Sequence, residues 1–101
     1  MPDLINFTNI DFEQLYLRCV ASYQACIQDP DNSFLQDEVT VPINELVIKD
    51  DCVRIVMPAM DAENYHIETE ITLYVDDDWF GYYRLVTDKH GDVIDDVLHF
   101  H

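Results

Sequence analysis

Residues 64–75, NYHIETEITLYV, decide the fold, because apolar and polar side chains alternate along this stretch. Alternation with a period of two is typical of a β-strand that has one buried face and one wet face. The residues expected on the buried face are Tyr65, Ile67, Thr69, Ile71, Leu73 and Val75. Those expected on the wet face are His66, Glu68, Glu70, Thr72 and Tyr74. Another element has to cover the buried face, since six aligned side chains would otherwise be exposed to water.

The segments that follow this strand indicate a β-meander. A turn at DDDWFG (76–81) leads to the strand YYRLVTD (82–88), and in this interpretation Trp79 and Phe80 lie in the turn. The glycine of KHGD (89–92) permits a tight reversal into a last strand, VIDDVLHF (93–100). Because these connections are short, the sequence favours antiparallel over parallel pairing.

A helix is predicted upstream, from about residue 10 to residue 27. Its apolar residues recur at spacings of three and four, which places them on one face. Thr8 and Asp11 precede this pattern in the Ser/Thr-x-x-acid relation of a weak capping box, and Pro30 follows it in a loop. The apolar face consists of Phe12, Leu15, Tyr16, Cys19, Val20, Tyr23, Cys26 and Ile27.

The segment between the helix and the meander leaves two alternatives open for residues 34–47. One is a short strand at 38–41 followed by a turn of helix at 43–47, since Pro42 would interrupt a central strand. The other is an extended edge that pairs onward through Val47 and Ile48. CVRIVMP (52–58) is predicted as a strand, preceded by a tight turn at Asp50-Asp51.

We therefore expect one acidic α+β domain over residues 1–101. Its N-terminal amphipathic helix packs on a four- to five-stranded, mainly antiparallel sheet, and the strand order stays open.

The charge balance is unusually acidic. The chain has 21 Asp and Glu against 5 Lys and Arg, for a formal net charge of −16. The acids are distributed over both halves of the chain. Such a field repels nucleic-acid phosphates and anionic membranes and attracts basic proteins. Direct nucleic-acid binding, which depends on Lys and Arg, is therefore strongly disfavoured.

Cysteine usage favours a reducing compartment. Of the three cysteines, Cys19 and Cys26 stand seven positions apart in the predicted helix, about 10 Å along its axis and too far for a disulfide. The opening MPDLINFTNI lacks the basic start and apolar run of a secretion signal, and no apolar stretch is long enough for a membrane span. We expect a cytoplasmic protein with reduced thiols.

Metal-binding patterns are incomplete in this sequence. Asp76-Asp77-Asp78 with Gly81 resembles a calcium loop, but Phe80 and Thr87 stand at its fifth and twelfth positions, where oxygen ligands are needed. The alternating residues at 66–70 and at 99–101 (His66, Glu68 and Glu70; His99 and His101) form pairs, not a converging set of ligands. We expect no metal and no cofactor.

Catalytic patterns are also missing. The sequence contains no GxSxG and no glycine-rich phosphate loop. Cys19 and Cys26 fall on the apolar face of the helix, where the surrounding negative charge raises thiol pKa values. We do not expect an enzyme.

The stretch DDDWFGYY (76–83) is the strongest candidate for an interaction site. Large aromatics among carboxylates suit an interface in which the aromatics anchor the partner and the acids steer it. The competing interpretation is that Trp79 or Phe80 folds back to cap the core. The residues expected to bind a partner are Asp76, Asp77, Asp78, Trp79, Phe80, Glu68, Glu70, Tyr74 and Tyr82.

Size and charge favour an acidic binding protein that neutralises a basic protein partner. Immunity proteins for nuclease toxins and DNA-mimic inhibitors of nucleic-acid-binding effectors are of this kind, and the comparison rests on composition alone. One alternative is a non-catalytic assembly or chaperone module, which can be homodimeric and whose acidity serves solubility. Another is an ordinary protein adapted to high salt.

Overall fold

A computed structural model describes residues 10–60 and 63–101 of the chain. The α+β prediction is confirmed: one α-helix and short 3₁₀ segments accompany a four-stranded antiparallel sheet in these ranges. In chain order they are α1 (Phe12–Gln28), 3₁₀ segments at Pro30–Glu38 and Ile43–Glu45, β1 (Val47–Val56), a 3₁₀ turn at Pro58–Met60, β2 (His66–Val75), β3 (Asp78–Asp88) and β4 (Val93–Phe100). No helix within the described ranges combines the length and apolarity that a membrane crossing requires.

The sheet is a simple meander with strand order β1-β2-β3-β4, and every neighbouring pair is antiparallel. The predicted meander is therefore confirmed. The reversal at residues 89–92 is also confirmed, and Gly91 adopts the left-handed backbone conformation there, with φ of 86°.

The helix begins where the apolar periodicity begins. Asp11 is its N-cap, and its carboxylate accepts a hydrogen bond from the Gln14 amide at 3.0 Å. Thr8, the other half of the predicted capping box, lies outside the described residues. The helix ends at Gln28, and Pro30 starts the 3₁₀ segment that follows.

The core lies between α1 and one face of the sheet. It is formed by two helix residues, Cys19 and Tyr23, and by Ile71, Leu73, Tyr83 and Leu85 from the two central strands. The alternation of residues 64–75 is thus confirmed, since Ile67, Thr69, Ile71 and Leu73 are all buried. Burying these side chains removes apolar surface from water, which is the main stabilising contribution to such a fold.

The segment before β1 differs from part of its prediction. The strand at 38–41, part of the first alternative, is wrong, because a 3₁₀ helix runs to Glu38 and no strand forms between Glu38 and Val47. The Gln36 side chain explains this: it donates to the Val41 carbonyl and accepts from the Ile43 amide, both at 2.8 Å. These two backbone groups are therefore satisfied without a neighbouring strand. The predicted helical turn is confirmed at Ile43–Glu45.

Two bulges account for the remaining differences. The predicted turn at Asp50-Asp51 is wrong, because β1 continues through both residues; the register passes from Asp50↔Ile71 to Cys52↔Glu70 and leaves Asp51 as an extra residue. The turn at 76–81 is shorter than predicted. β3 already begins at Asp78, so Trp79 and Phe80 lie in a strand, with Phe80 as the extra residue.

Candidate functional site

The face of the sheet that points away from α1 is called the open face below. The strand register places on it the side chains that alternate with the core residues. They are Val47, Lys49, Cys52, Arg54 and Val56 from β1; His66, Glu68, Glu70, Thr72 and Tyr74 from β2; Trp79, Tyr82, Arg84 and Val86 from β3; and Asp95, Val97 and His99 from β4. His101 follows directly after β4.

A chain of alternating charges crosses one part of the open face. Arg84 donates from both Nη2 (2.8 Å) and Nε (3.1 Å) to Glu70 Oε1. Arg54 Nη1 lies 3.5 Å from the same oxygen and 3.8 Å from Glu68 Oε1. The other oxygen of Glu68 lies 3.2 Å from His66 Nε2. Direct cross-strand pairing of Glu70 with Arg84, and of Arg54 with Glu68, holds these groups together.

Glu70 departs from the expectation that it is an exposed residue. Only 7% of its surface is accessible, because the side chains of both neighbouring strands surround it. Burial by itself raises the pKa of Glu70, but hydrogen bonding with Asp51 and Arg84 and the charge of Arg54 outweigh burial and lower it. The hydrogen bond to Glu70 raises the pKa of Asp51.

The bulge in β1 brings three potential metal ligands together on this face. Ligand atoms of Asp51, Cys52 and Glu70 all lie within 4.8 Å of one another. Two arginines already neutralise Glu70, and the neighbouring Glu70 raises the pKa of the Asp51 carboxyl. Burial is the main cause that raises the pKa of the Cys52 thiol. The chemistry of this cluster is therefore that of a hydrogen-bonded ion-pair network, and not that of a set of free anionic ligands.

A row of stacked rings forms the other part of the open face, and we call it the aromatic row. Ring centroids are 3.9 Å apart for Trp79–His101, 4.7 Å for His101–His99 and 5.4 Å for His99–Tyr82. The Arg84 guanidinium lies 5.2 Å from the Tyr82 ring and joins the row to the charged network.

The bulge at Phe80 decides which aromatic side chain reaches the row. Gly81 and Tyr83 face α1, so Trp79 would share their face if β3 were regular. The extra residue shifts Trp79 to pair with Tyr74 on the open face, where 52% of Trp79 is exposed. Phe80 instead packs its ring 5.0 Å from Phe100, which lies against the core. Folding back onto the core is thus seen for Phe80 and not for Trp79.

Three carboxylates stand at the end of the open face, in the segment called the acidic turn below. Asp76 and Asp77 form the turn between β2 and β3, and Asp78 is the first residue of β3. All three are exposed, and within residues 10–60 and 63–101 they form no ion pair. The acidic turn and the exposed indole of Trp79 are therefore neighbours.

The structure brings most of the predicted partner-binding residues together. Glu68, Glu70, Tyr74, Trp79 and Tyr82 share the open face, the acidic turn borders it, and Phe80 is separated from it by its packing on Phe100. The residues that the sequence did not assign to this surface are Arg54, Arg84, His99 and His101. The alternation in β1, β3 and β4 could have indicated that these residues lie on the open face. It is informative only when the register between the strands is known.

Comparison with protein-family models, curated proteins and solved structures finds no match to this chain.

Proposed function

We propose that this chain is an acidic binding protein that docks the open face of its sheet on a basic protein and neutralises it. An immunity protein for a nuclease toxin and a DNA-mimic inhibitor of a nucleic-acid-binding effector are the two forms that this function would take. The observation that carries the proposal is the exposed aromatic row directly beside the three unpaired carboxylates of the acidic turn. Trp, Tyr and Arg, all present here, are the residue types that dominate binding energy at protein interfaces.

The charge distribution supports different roles for the open face, which would contact the partner, and for the other acidic residues, which would attract it. Three of the five Lys and Arg residues (Lys49, Arg54 and Arg84) lie on the open face, where Glu68 and Glu70 compensate the two arginines. A compensated surface can lose its water at a smaller cost than one with unpaired charges. The net charge of −16 would attract a cationic partner before contact, which accelerates association.

The setting that we propose is cytoplasmic. Cys19, Cys26 and Cys52 are all free thiols. Free thiols fit a reducing compartment, and we propose that the chain binds its basic partner there.

The experiment starts with affinity capture from the native host in buffer of about 0.05 M salt, followed by elution at about 0.5 M. The captured basic protein is then purified, and its nuclease or nucleic-acid-binding activity is measured with and without this chain. We expect stoichiometric inhibition, and association that slows steeply over this salt range because the Debye length shrinks severalfold. Salt-independent association with no inhibition would contradict the proposal.

Two triple variants with the same change in net charge test the location of the site. The first replaces the acidic turn (Asp76→Asn, Asp77→Asn, Asp78→Asn), and the second replaces exposed acids of the first 3₁₀ segment (Asp31→Asn, Asp37→Asn, Glu38→Gln). We expect both to fold and the first to weaken binding more. Trp79→Ala should mainly accelerate dissociation, because its ring is lost from the contact. Equal effects of the two triples would show that net charge acts without a local site.

The second candidate function is a homodimeric assembly module. It is favoured by the exposed Val93 and Ile94 on the edge strand β4, with 54% and 56% of their surfaces accessible. Sedimentation equilibrium separates the two functions, since a dimer that persists at high salt, with no captured basic protein, would support assembly.

A further inference from the structure

We infer that the cleft between the start of α1 and the β3–β4 turn binds a small organic carboxylate. The anionic head of this ligand would lie at Arg18 and Lys89, and its apolar body would lie against the floor of the cleft. The cleft has a volume of about 320 Å³, which is at the lower end of the range for small-molecule sites. Asp78 and Asp88 are the first and last residues of β3, so about 30 Å of strand separates the acidic turn from this cleft. The carboxylate site is therefore distinct from the surface of the proposed function.

The floor of the cleft is apolar and is lined by Ile10, Leu15, Tyr65 and Ile67. Leu15 lies on the apolar face of the helix, and Tyr65 lies on the predicted buried face of residues 64–75. Neither side chain belongs to the core cluster between α1 and the sheet, and both are partly exposed. An apolar ligand body would cover this surface and remove it from water, which favours binding.

Two of the five Lys and Arg residues line the cleft without a carboxylate partner. Among residues 10–60 and 63–101, ion pairs engage Arg54 and Arg84 but neither Arg18 nor Lys89, although the chain has a net charge of −16. The Arg18 guanidinium is held at the cleft by its Nη2, which donates to the Gly91 carbonyl at 2.7 Å. Because Nη2 has a second hydrogen, one pair of parallel N–H donors stays free. Such a pair fits the two oxygens of a planar carboxylate.

The cleft also contains two aspartates, and backbone amides engage both of them. Asp11 Oδ1 accepts a hydrogen bond from the Gln14 amide at 3.0 Å. Asp88 Oδ1 accepts hydrogen bonds from the amides of His90 at 2.9 Å and Asp92 at 3.0 Å. These two negative charges balance the two cations, so the cleft has no local excess of negative charge, in contrast to the molecule as a whole. A single small anion can therefore bind in the cleft without the repulsion that it would meet elsewhere on the chain.

The first test compares three probes that share a phenyl ring: phenylacetate, phenethylamine and benzyl alcohol. Each is titrated into the full chain at about 0.15 M salt, where a Debye length of about 8 Å limits repulsion from distant carboxylates. The net charge alone would favour the amine, and apolar contact alone would make the three probes bind equally. We expect phenylacetate to bind about tenfold more tightly than either of the others, because only its head can accept from Arg18.

The two glycines of the chain report where the probe binds. In two-dimensional amide NMR spectra, the signal of Gly91 at the cleft should shift with phenylacetate, whereas that of Gly81 in β3 should not. A preference for phenethylamine, equal binding of the three probes, or a shift of Gly81 without one of Gly91 would overturn the inference.

The second test removes the two cations singly. Arg18→Gln should weaken phenylacetate binding about tenfold, and Lys89→Gln, at an exposed side chain, about threefold. Lys49→Gln is the control, because it removes the same charge on the open face, where the ammonium group of Lys49 lies 4.4 Å from the centre of the Tyr74 ring. We expect it to change phenylacetate binding less than about twofold. The exposed Lys89 keeps the test valid even if Arg18→Gln does not fold. Equal affinities in the native chain and all three variants would refute the carboxylate site and leave the proposed function standing.

Discussion

Gly81 allows β4 to approach β3 closely enough to build the aromatic row, and Gly81→Ala tests this directly. A Cβ atom at Gly81 would lie 2.1 Å from the His99 carbonyl oxygen and 3.0 Å from the Phe100 Cα. Both obstacles are backbone atoms, so no side-chain rotation can relieve the contact. Since carbon and oxygen approach each other to about 3.3 Å, the end of β4 has to move by roughly 1 Å.

That movement has a cost that can be estimated from the contacts at the end of β4. It would break about two backbone hydrogen bonds, among them the one from His101 to Phe80, at about 1 kcal/mol each. It would also separate Phe80 from Phe100 and Trp79 from His101. Alanine also lowers the conformational entropy of the unfolded chain, which offsets about 0.5–1 kcal/mol of this loss of stability. We expect a net loss of roughly 2–3 kcal/mol in the free energy of unfolding.

Gly91→Ala is the matched control, because it makes the same chemical change at the other glycine of the chain. There the nearest atom to the new Cβ is Arg18 Nη1 at 3.6 Å, an ordinary contact, and the cost comes from the φ of 86°. We expect a loss of about 1 kcal/mol. Urea denaturation followed by circular dichroism measures both variants, and Trp79 fluorescence reports the row. Gly81→Ala as stable as Gly91→Ala, with unchanged fluorescence, would refute the reasoning.

Two further predictions concern polar contacts of the sheet. Tyr83→Phe should lower the free energy of unfolding by about 1–2 kcal/mol, because the Tyr83 hydroxyl lies 2.7 Å from Ser22 Oγ and donates to Asp96 at 2.8 Å; Tyr82→Phe on the open face should change it by less than about 0.5 kcal/mol in the same denaturation assay. Arg84→Gln should flatten the loss of stability between about pH 5 and 3. The lowered pKa of Glu70 contributes stability that is present above the unfolded carboxyl range and is lost as the pH falls through the folded value. Lys89→Gln, at an exposed lysine of the β3–β4 turn, is its control. If both variants lose the same free energy of unfolding between about pH 5 and 3, Arg84 does not have this role.

Much of the fold follows from two periodicities in the sequence. The alternation in residues 64–75 and the three-and-four spacing in residues 12–27 each marked a buried face, and both faces meet in the core. Such patterns are informative because burial acts on every second residue of a strand and on one side of a helix.

The bulges escaped prediction because an extra residue leaves no mark in composition or propensity. Each one reverses the alternation on its strand, so the placement of Asp51 and Trp79 depended on information from the neighbouring strand. The burial of Glu70 escaped prediction for the same reason. The alternation in its own segment predicts a wet face, and the two arginines that cover it come from β1 and β3.

The edges of the sheet bear on which function this fold serves. β4 exposes Val93 and Ile94, but Asp95 and Asp96 follow immediately, and Asp96 is engaged by Tyr83. β1 is the other edge, and its bulge at Asp51 interrupts regular pairing. Charges and bulges on edge strands resist the addition of a further strand.

A second copy of the chain would be an unfavourable partner for either edge. Antiparallel pairing of two β4 strands would bring their aspartates together, in addition to the repulsion between two chains of net charge −16 each. The open face has no such obstacle, because its central charges are already compensated and its rings are stacked in place. A partner that docks there need not contribute a strand. It needs a flat surface that accepts the aromatic row and a margin of Lys or Arg for the acidic turn, which are features that a nucleic-acid-binding surface already has.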